Sequence, residues 1–247
     1  MSGLDINIHV NTRLNMFPKA LFFDLDNTLT HRALSIARYS EIFHFAFRDH
    51  LKEKNVDNIN AIIIREDNGG YLPKNSPFSS IREAVSQTLA LELKWIKPQL
   101  AETILEHWIN YFHSAAVLMP GANELIEELM RRDIAIGVIS NGAEWSRNQT
   151  LEALSLTKEI RVMICSERFG DSKPSPKIFH AGANVLDFHP EQCWYVGDHP
   201  VNDYFGAKEA GMKAIWLKGF HEWPGNWVSP EHSVCSLNEL TTLLTQL

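Results

Sequence analysis

Five short apolar runs punctuate the chain, each bounded by turn-forming residues: Lys19–Asp24, Ile134–Asn141, Arg161–Ser166, Cys193–Asp198 and Lys213–Leu217. None alternates cleanly between apolar and polar, as a strand with one wet face would. Runs this short and continuous predict strands covered on both faces. Between the later runs the period becomes helical. In Gly121–Arg132 the apolar residues Leu125, Ile126, Leu129 and Met130 recur at helical spacing. Ser175-Pro176 offers a cap residue followed by a proline whose φ is already helical. A further helix is predicted around Asp203–Met212, and Ser236-x-x-Glu239 forms a capping box ahead of Leu-rich final turns. Strand and helix alternate through the second half, so the economical arrangement is an α/β fold around a parallel sheet.

The first strand is followed by something different. Between Leu29 and Met119 no comparable strand pattern occurs, yet the segment is far too long for a loop. Helices are predicted over Leu34–Lys54, Ser80–Leu93 and Gln99–Ala116. Phe43, Phe47 and Leu51 share a face of the first, and Ile104, Trp108 and Phe112 share a face of the third. The stretch Asp67–Pro73 reads as turn and loop. Its placement predicts an inserted helical domain acting as a cap over whatever the end of the first strand does.

Composition narrows the class. A hydrophobic content of 45% and a charged content of 21% are those of an ordinary globular protein, and 247 residues allow one large domain or a domain with an insertion. The net charge of −7 argues against a nucleic-acid surface, which needs a basic stripe. No apolar run approaches the ~20 residues of a membrane helix. The first sixteen residues, with Asp5 and Arg13, lack the apolar core of a signal peptide. Cys165, Cys193 and Cys235 show no Cys-x-x-Cys spacing, and two of them lie in or beside apolar runs. Buried, reduced thiols are expected, which suits a cytoplasmic protein.

The candidate chemistry falls at the carboxyl ends of the predicted strands, where open α/β sheets place their ligands. Asp24 and Asp26 end the first. Alternation along a strand would send these two side chains to opposite faces, so they converge only if the chain breaks into a loop at Asp24. Asn27 and Thr28 suit such a turn. Two converging carboxylates divide the labour: one attacks phosphorus and the other moves protons. Ser140-Asn141-Gly142 ends the second strand, Lys173-Pro174 follows the third, and Gly197–Asp203 ends the fourth. Parallel strands would bring these distant groups side by side.

Asp-x-Asp-x-Thr at Asp24–Thr28, then Ser140, then Lys173, then Gly-Asp-x-x-x-x-Asp at Gly197–Asp203, each at a strand end, resemble the motifs of haloacid dehalogenase (HAD) superfamily hydrolases. The resemblance is to the phosphatase type with a helical cap, and it spans nearly the whole chain. It implies a Rossmann-like three-layer core around a central parallel sheet, residues 1–30 and 117–247, with an inserted helical cap, residues 31–116. It further implies Mg²⁺-dependent hydrolysis of a small-molecule phosphate monoester. Asp24 would be the nucleophile, forming an aspartyl-phosphate. Asp26 would protonate the leaving oxygen and then activate water. Ser140 and the backbone N–H groups around Asn141-Gly142 would hold the phosphoryl oxygens, and Lys173 would neutralise developing charge. Asp24, Asp198 and the backbone carbonyl of Asp26 would bind Mg²⁺. Asp203 would either assist the metal site or orient Lys173.

Asp26 also bears on the reaction class, because relatives that cleave carbon–halogen bonds have no use for a general acid there. The substrate stays open among a nucleotide, a sugar phosphate, a flavin-pathway intermediate and phosphoglycolate. A phosphotransferase or phosphomutase, and a non-catalytic phosphate-ligand binder, are the alternatives. In the inserted segment His31, Arg32, Arg38, Arg65, Tyr71 and Lys74 are candidates to face substrate or water. His199 reads as a loop histidine or as one that contacts a metal ligand rather than the metal, since Mg²⁺ prefers oxygen ligands. The aromatic cluster Phe220–Trp227 reads as packing or a lid contact.

Overall fold

The first apolar run becomes β1 (Ala20–Phe23), all four residues of which are buried. The others form β2 (Ala135–Ser140), β3 (Val162–Cys165), β4 (Cys193–Gly197) and β5 (Lys213–Leu217), joined by a two-residue β6 (Ser233–Val234). This is a computed structural model, and it describes residues 17–246. The expectation for the first sixteen residues therefore lies outside the described residues. The strands make one sheet in the order β3-β2-β1-β4-β5-β6, and every pairing is parallel. A mostly buried parallel sheet accounts for the absence of alternation in the five runs. β6 was not anticipated, since two residues are too few to show a period.

Residues 30–118, with 148–155, form one contact unit; the chain up to Leu29, Met119–Arg147 and Leu156 onward form the other. The first of these carries α1 (Arg32–Phe47), α2 (Val56–Asp67), α3 (Ile81–Glu92) and α4 (Ala101–Tyr111). The expected first helix ends at Phe47 rather than Lys54, and Leu51 instead makes an isolated antiparallel bridge with Trp95. α2 was not expected. Asn55 caps it by accepting from the Asp57 and Asn58 N–H groups, and Ile59, Ile62 and Ile63 are buried along it. Tyr39, Phe43, Ile63, Val85, Leu89, Ile104 and Trp108 belong to this unit's own core. Arg32, one of the candidates to face substrate or water, is buried: its Nε and Nη2 form a two-pronged pair with Asp67 at 2.6–3.0 Å. Arg65 is held by Glu66 and Glu92.

The other unit places α5 (Ala122–Arg131), the start of α6 (Glu144–Ala153), α7 (Ser166–Phe169), α8 (Pro176–Val185), α9 (Gly206–Glu209) and α10 (Leu237–Gln246) around the sheet. The helix expected around Asp203–Met212 is present but starts earlier and ends sooner: a wide π turn, Pro200–Phe205, runs into the short α9. The sheet core brings Phe22, Ile139, Phe179, Tyr195 and Tyr204 together. Gly137 admits the Phe22 ring so closely that a Cβ there would lie 2.4 Å from it.

Candidate active site

Chain order reverses across β1: β2 lies on one side and β4 on the other. Such a switch point opens a crevice at the carboxyl ends of the strands. Asp24 leaves β1 there, its N–H donating to the Val196 carbonyl at 2.9 Å. The chain then turns at Asn27, which takes the left-handed conformation (φ 57°) that asparagine tolerates. Asp198 and Asp203 come from the loop after β4. One oxygen from each of Asp24, Asp198 and Asp203 lies within 4.8 Å of the others, and all three residues are buried.

Lys173 reaches into this cluster from the loop before α8. Its buried ammonium donates to Asp24 Oδ1 and Asp203 Oδ1, both at 2.6 Å, and to the Tyr195 hydroxyl at 2.9 Å. An ammonium has three N–H donors, and all three are engaged. The Tyr195 hydroxyl in turn lies 3.0 Å from the Ile139 carbonyl. Asp203 thus accepts from Lys173 through one oxygen, and its second oxygen accepts the His199 N–H at 2.9 Å. Asp198 is held from the far side, with His221 Nδ1 2.8 Å from its Oδ2 and Trp216 Nε1 donating to its carbonyl at 2.8 Å.

The electrostatics follow from burial. Desolvation, reinforced by Asp203 and Asp198 and opposed by Lys173, pushes the Asp24 carboxyl from 3.8 up to about 7. Burial raises Asp198 too, against the pull of His221, while the bond to Asp198 raises His221. Burial by itself would lower Lys173, but Asp203 and Asp24 together hold its ammonium well above the ordinary lysine range. One ammonium faces three buried carboxylates. That imbalance and the all-oxygen donor set fit a small hard divalent cation such as Mg²⁺.

Ser140 ends β2, buried, in register with Cys165 of β3. Asn141 clamps the lysine loop: its Oδ1 accepts the Lys173 N–H at 2.9 Å and its Nδ2 donates to the Lys173 carbonyl at 3.1 Å. The Gly142 N–H, expected to hold a phosphoryl oxygen, donates to Ser166 Oγ at 2.9 Å. Asp26 does not join the buried cluster through Lys173; its Oδ2 pairs with Arg147 Nη2 at 2.9 Å. His199 is a loop histidine, its Nδ1 accepting the Val201 and Asn202 N–H groups that open the π turn. In the aromatic segment, Trp223 and Trp227 pack on Phe205.

The family model for haloacid dehalogenase-like hydrolases matches residues 21–217. The chain belongs to that family. Among its relatives is a glyceraldehyde 3-phosphate phosphatase from Pyrococcus furiosus, 26% identical over 81% of this chain and 80% of the relative. Another is the N-acylneuraminate-9-phosphatase of Homo sapiens, 25% identical over 93% of this chain and 94% of the relative. The HAD-hydrolase YfnB of Bacillus subtilis, solved bound to magnesium, shares the fold of this HAD chain with a TM-score of 0.67 and 18% identity, covering 93% of this chain and 99% of that one.

Three residues of this HAD site were not picked out in the sequence. Tyr195 sits among apolar β4 neighbours and reads as core. Arg147 follows the Ser140 motif by seven positions on a helix with little amphipathic pattern. His221 lies in an irregular loop, distant in sequence from Asp198. Only Arg147's nearness to Asn141-Gly142 gave a usable signal.

Proposed function

We propose that the protein is a Mg²⁺-dependent phosphatase of small organic phosphate monoesters. The observation that carries this reading is the Lys173 ammonium bridging Asp24 and Asp203 beside Asp198, at the end of β1. Asp24 attacks phosphorus, the ester P–O bond breaks, and Asp26 passes its proton to the departing oxygen. Asp26, now a carboxylate, takes a proton from water; that oxygen attacks the aspartyl-phosphate, releasing inorganic phosphate and restoring Asp24. Lys173 balances charge on the nucleophile throughout, and Asp203 and Tyr195 keep it in place. Asp24, Asp198 and the Asp26 carbonyl would hold Mg²⁺, which when bound supplies neutralisation of the phosphoryl charge. Ser140 would contribute a hydroxyl to the phosphoryl oxygens. The phosphatases among the relatives support hydrolysis of small phosphate esters.

The test is phosphate release from a panel of phosphate esters with Mg²⁺ and with EDTA, using Asp24→Asn as control. Release is expected only with the cation, and the variant should lose at least about 10³-fold in kcat with an unchanged circular-dichroism spectrum. Full activity in Asp24→Asn would remove the nucleophile assignment. Faster transfer to an alcohol than to water would make the enzyme a phosphotransferase.

A further inference from the structure

Among the described residues, two buried or half-buried arginines, Arg32 and Arg147, pair with an aspartate, and the pairs differ. Arg32 grips Asp67 along one whole edge of its guanidinium, through Nε and Nη2. Arg147 pairs with Asp26 through Nη2, shares Nη2 with the Asn141 carbonyl at 2.9 Å, and leaves its buried Nε without an acceptor. Nε and Nη2 form the edge that matches a carboxylate or phosphate with two parallel hydrogen bonds. Asp26 therefore uses half of what that edge offers.

The position of the guanidinium is built rather than incidental. It lies flat against Gly142, where a Cβ would approach Nη2 to 2.8 Å and Cζ to 3.1 Å. Gly142 also has a φ of 141°, so a side chain is excluded there twice over. The planar group is thereby held on the loop after β2, beside the candidate proton donor.

We propose that Arg147 is a specificity-determining residue that receives a second anionic group, a carboxylate or phosphate, carried by the leaving group of the ester. The inference rests on the phosphatase reading above, in which Asp26 gives its proton to the leaving oxygen. A carboxyl that turns toward that oxygen loosens its pairing with Arg147. The leaving group is then one side chain away from a guanidinium edge that has one donor vacated and another unpartnered. A neutral leaving group leaves that edge unsatisfied in a half-buried site; an anionic one completes it with charge-assisted bonds.

Matched ester pairs test this: phosphoglycolate against ethyl phosphate, and phosphoserine against phosphoethanolamine, each pair differing by a carboxylate. The carboxylate member is expected to show a kcat/KM higher by about tenfold or more. Arg147→Gln should bring that ratio to near one, chiefly through KM of the carboxylate ester, with Arg147→Lys in between. A ratio near one in the unaltered enzyme overturns the inference. So does a proportional fall of both esters in Arg147→Gln, which would leave Arg147 as a group that only positions Asp26. The same pairs titrated calorimetrically against Mg²⁺-loaded Asp24→Asn protein give the preference without turnover. An enzyme silent on every ester but showing that binding preference would sink the hydrolase reading alone, whereas equal binding sinks the inference.

Discussion

Asp24 holds its proton in the metal-free folded protein up to about 7, against 3.8 in an unfolded chain, because burial and two acidic neighbours outweigh Lys173. Between those values the folded state binds more protons than the unfolded one. Stability contributed by this residue is therefore greatest at low pH, falls as pH rises through the window, and levels off above about 7. Urea unfolding in EDTA at several pH values, with Asp24→Asn subtracted, should show that falling slope. A difference that rises with pH would contradict the account of Asp24 as an acid held by burial. That Asp24, Lys173, Asp198 and Asp203 would meet was legible because each stands at the carboxyl end of a predicted parallel strand, and the structure brings the four together. Tyr195 was not, since a tyrosine in a buried strand is equally well explained by packing; what singles it out is the hydroxyl bond to Lys173.

At the scale of elements, the strands were readable because burial on both faces leaves a continuous apolar signature, and β5 runs over the very residues expected, Lys213–Leu217. α2 escaped because Ile62-Ile63-Ile64 is a β-branched run of low helix propensity, although Ile59, Ile62 and Ile63 do keep helical spacing; its formation depends on the Asn55 cap and on packing in the helical unit. The π turn after β4 escaped because Asp203 is pulled inward by Lys173, a tertiary demand invisible in local periodicity. Strand packing makes a sharper claim. Gly137 is there for space, to let the Phe22 ring lie against β2. Gly137→Ala should lower the unfolding free energy by about 1–3 kcal/mol, and a smaller side chain at Phe22 in the same chain should recover part of the loss. Denaturant midpoints of the single and double variants check this; an alanine with no cost would mean the ring moves freely.

At the scale of the whole molecule, Cys165 and Cys193 are buried while Cys235 is exposed. Burial pushes the first two thiols up to about 11 and about 12. The native protein should therefore give one fast-reacting thiol per chain with a disulfide reagent at mildly alkaline pH, lost in Cys235→Ser, and all three after unfolding. Fast reaction of Cys165 or Cys193 in the native state would contradict their burial. Among the described residues no helix is long and apolar enough to cross a membrane. The strand order also dictates a schedule during synthesis. β1 ends at Phe23, but its partners begin only at Ala135 and Cys193, so an apolar segment leaves the ribosome long before either neighbour exists. At ordinary elongation speeds that wait before the first partner is on the order of ten seconds. The residues of the helical core, Ile36 to Ala115, all emerge within that interval. The nascent chain thus carries the residues of a whole helical core and an unpaired, sticky strand at once, a state that invites a holding chaperone until the second half arrives.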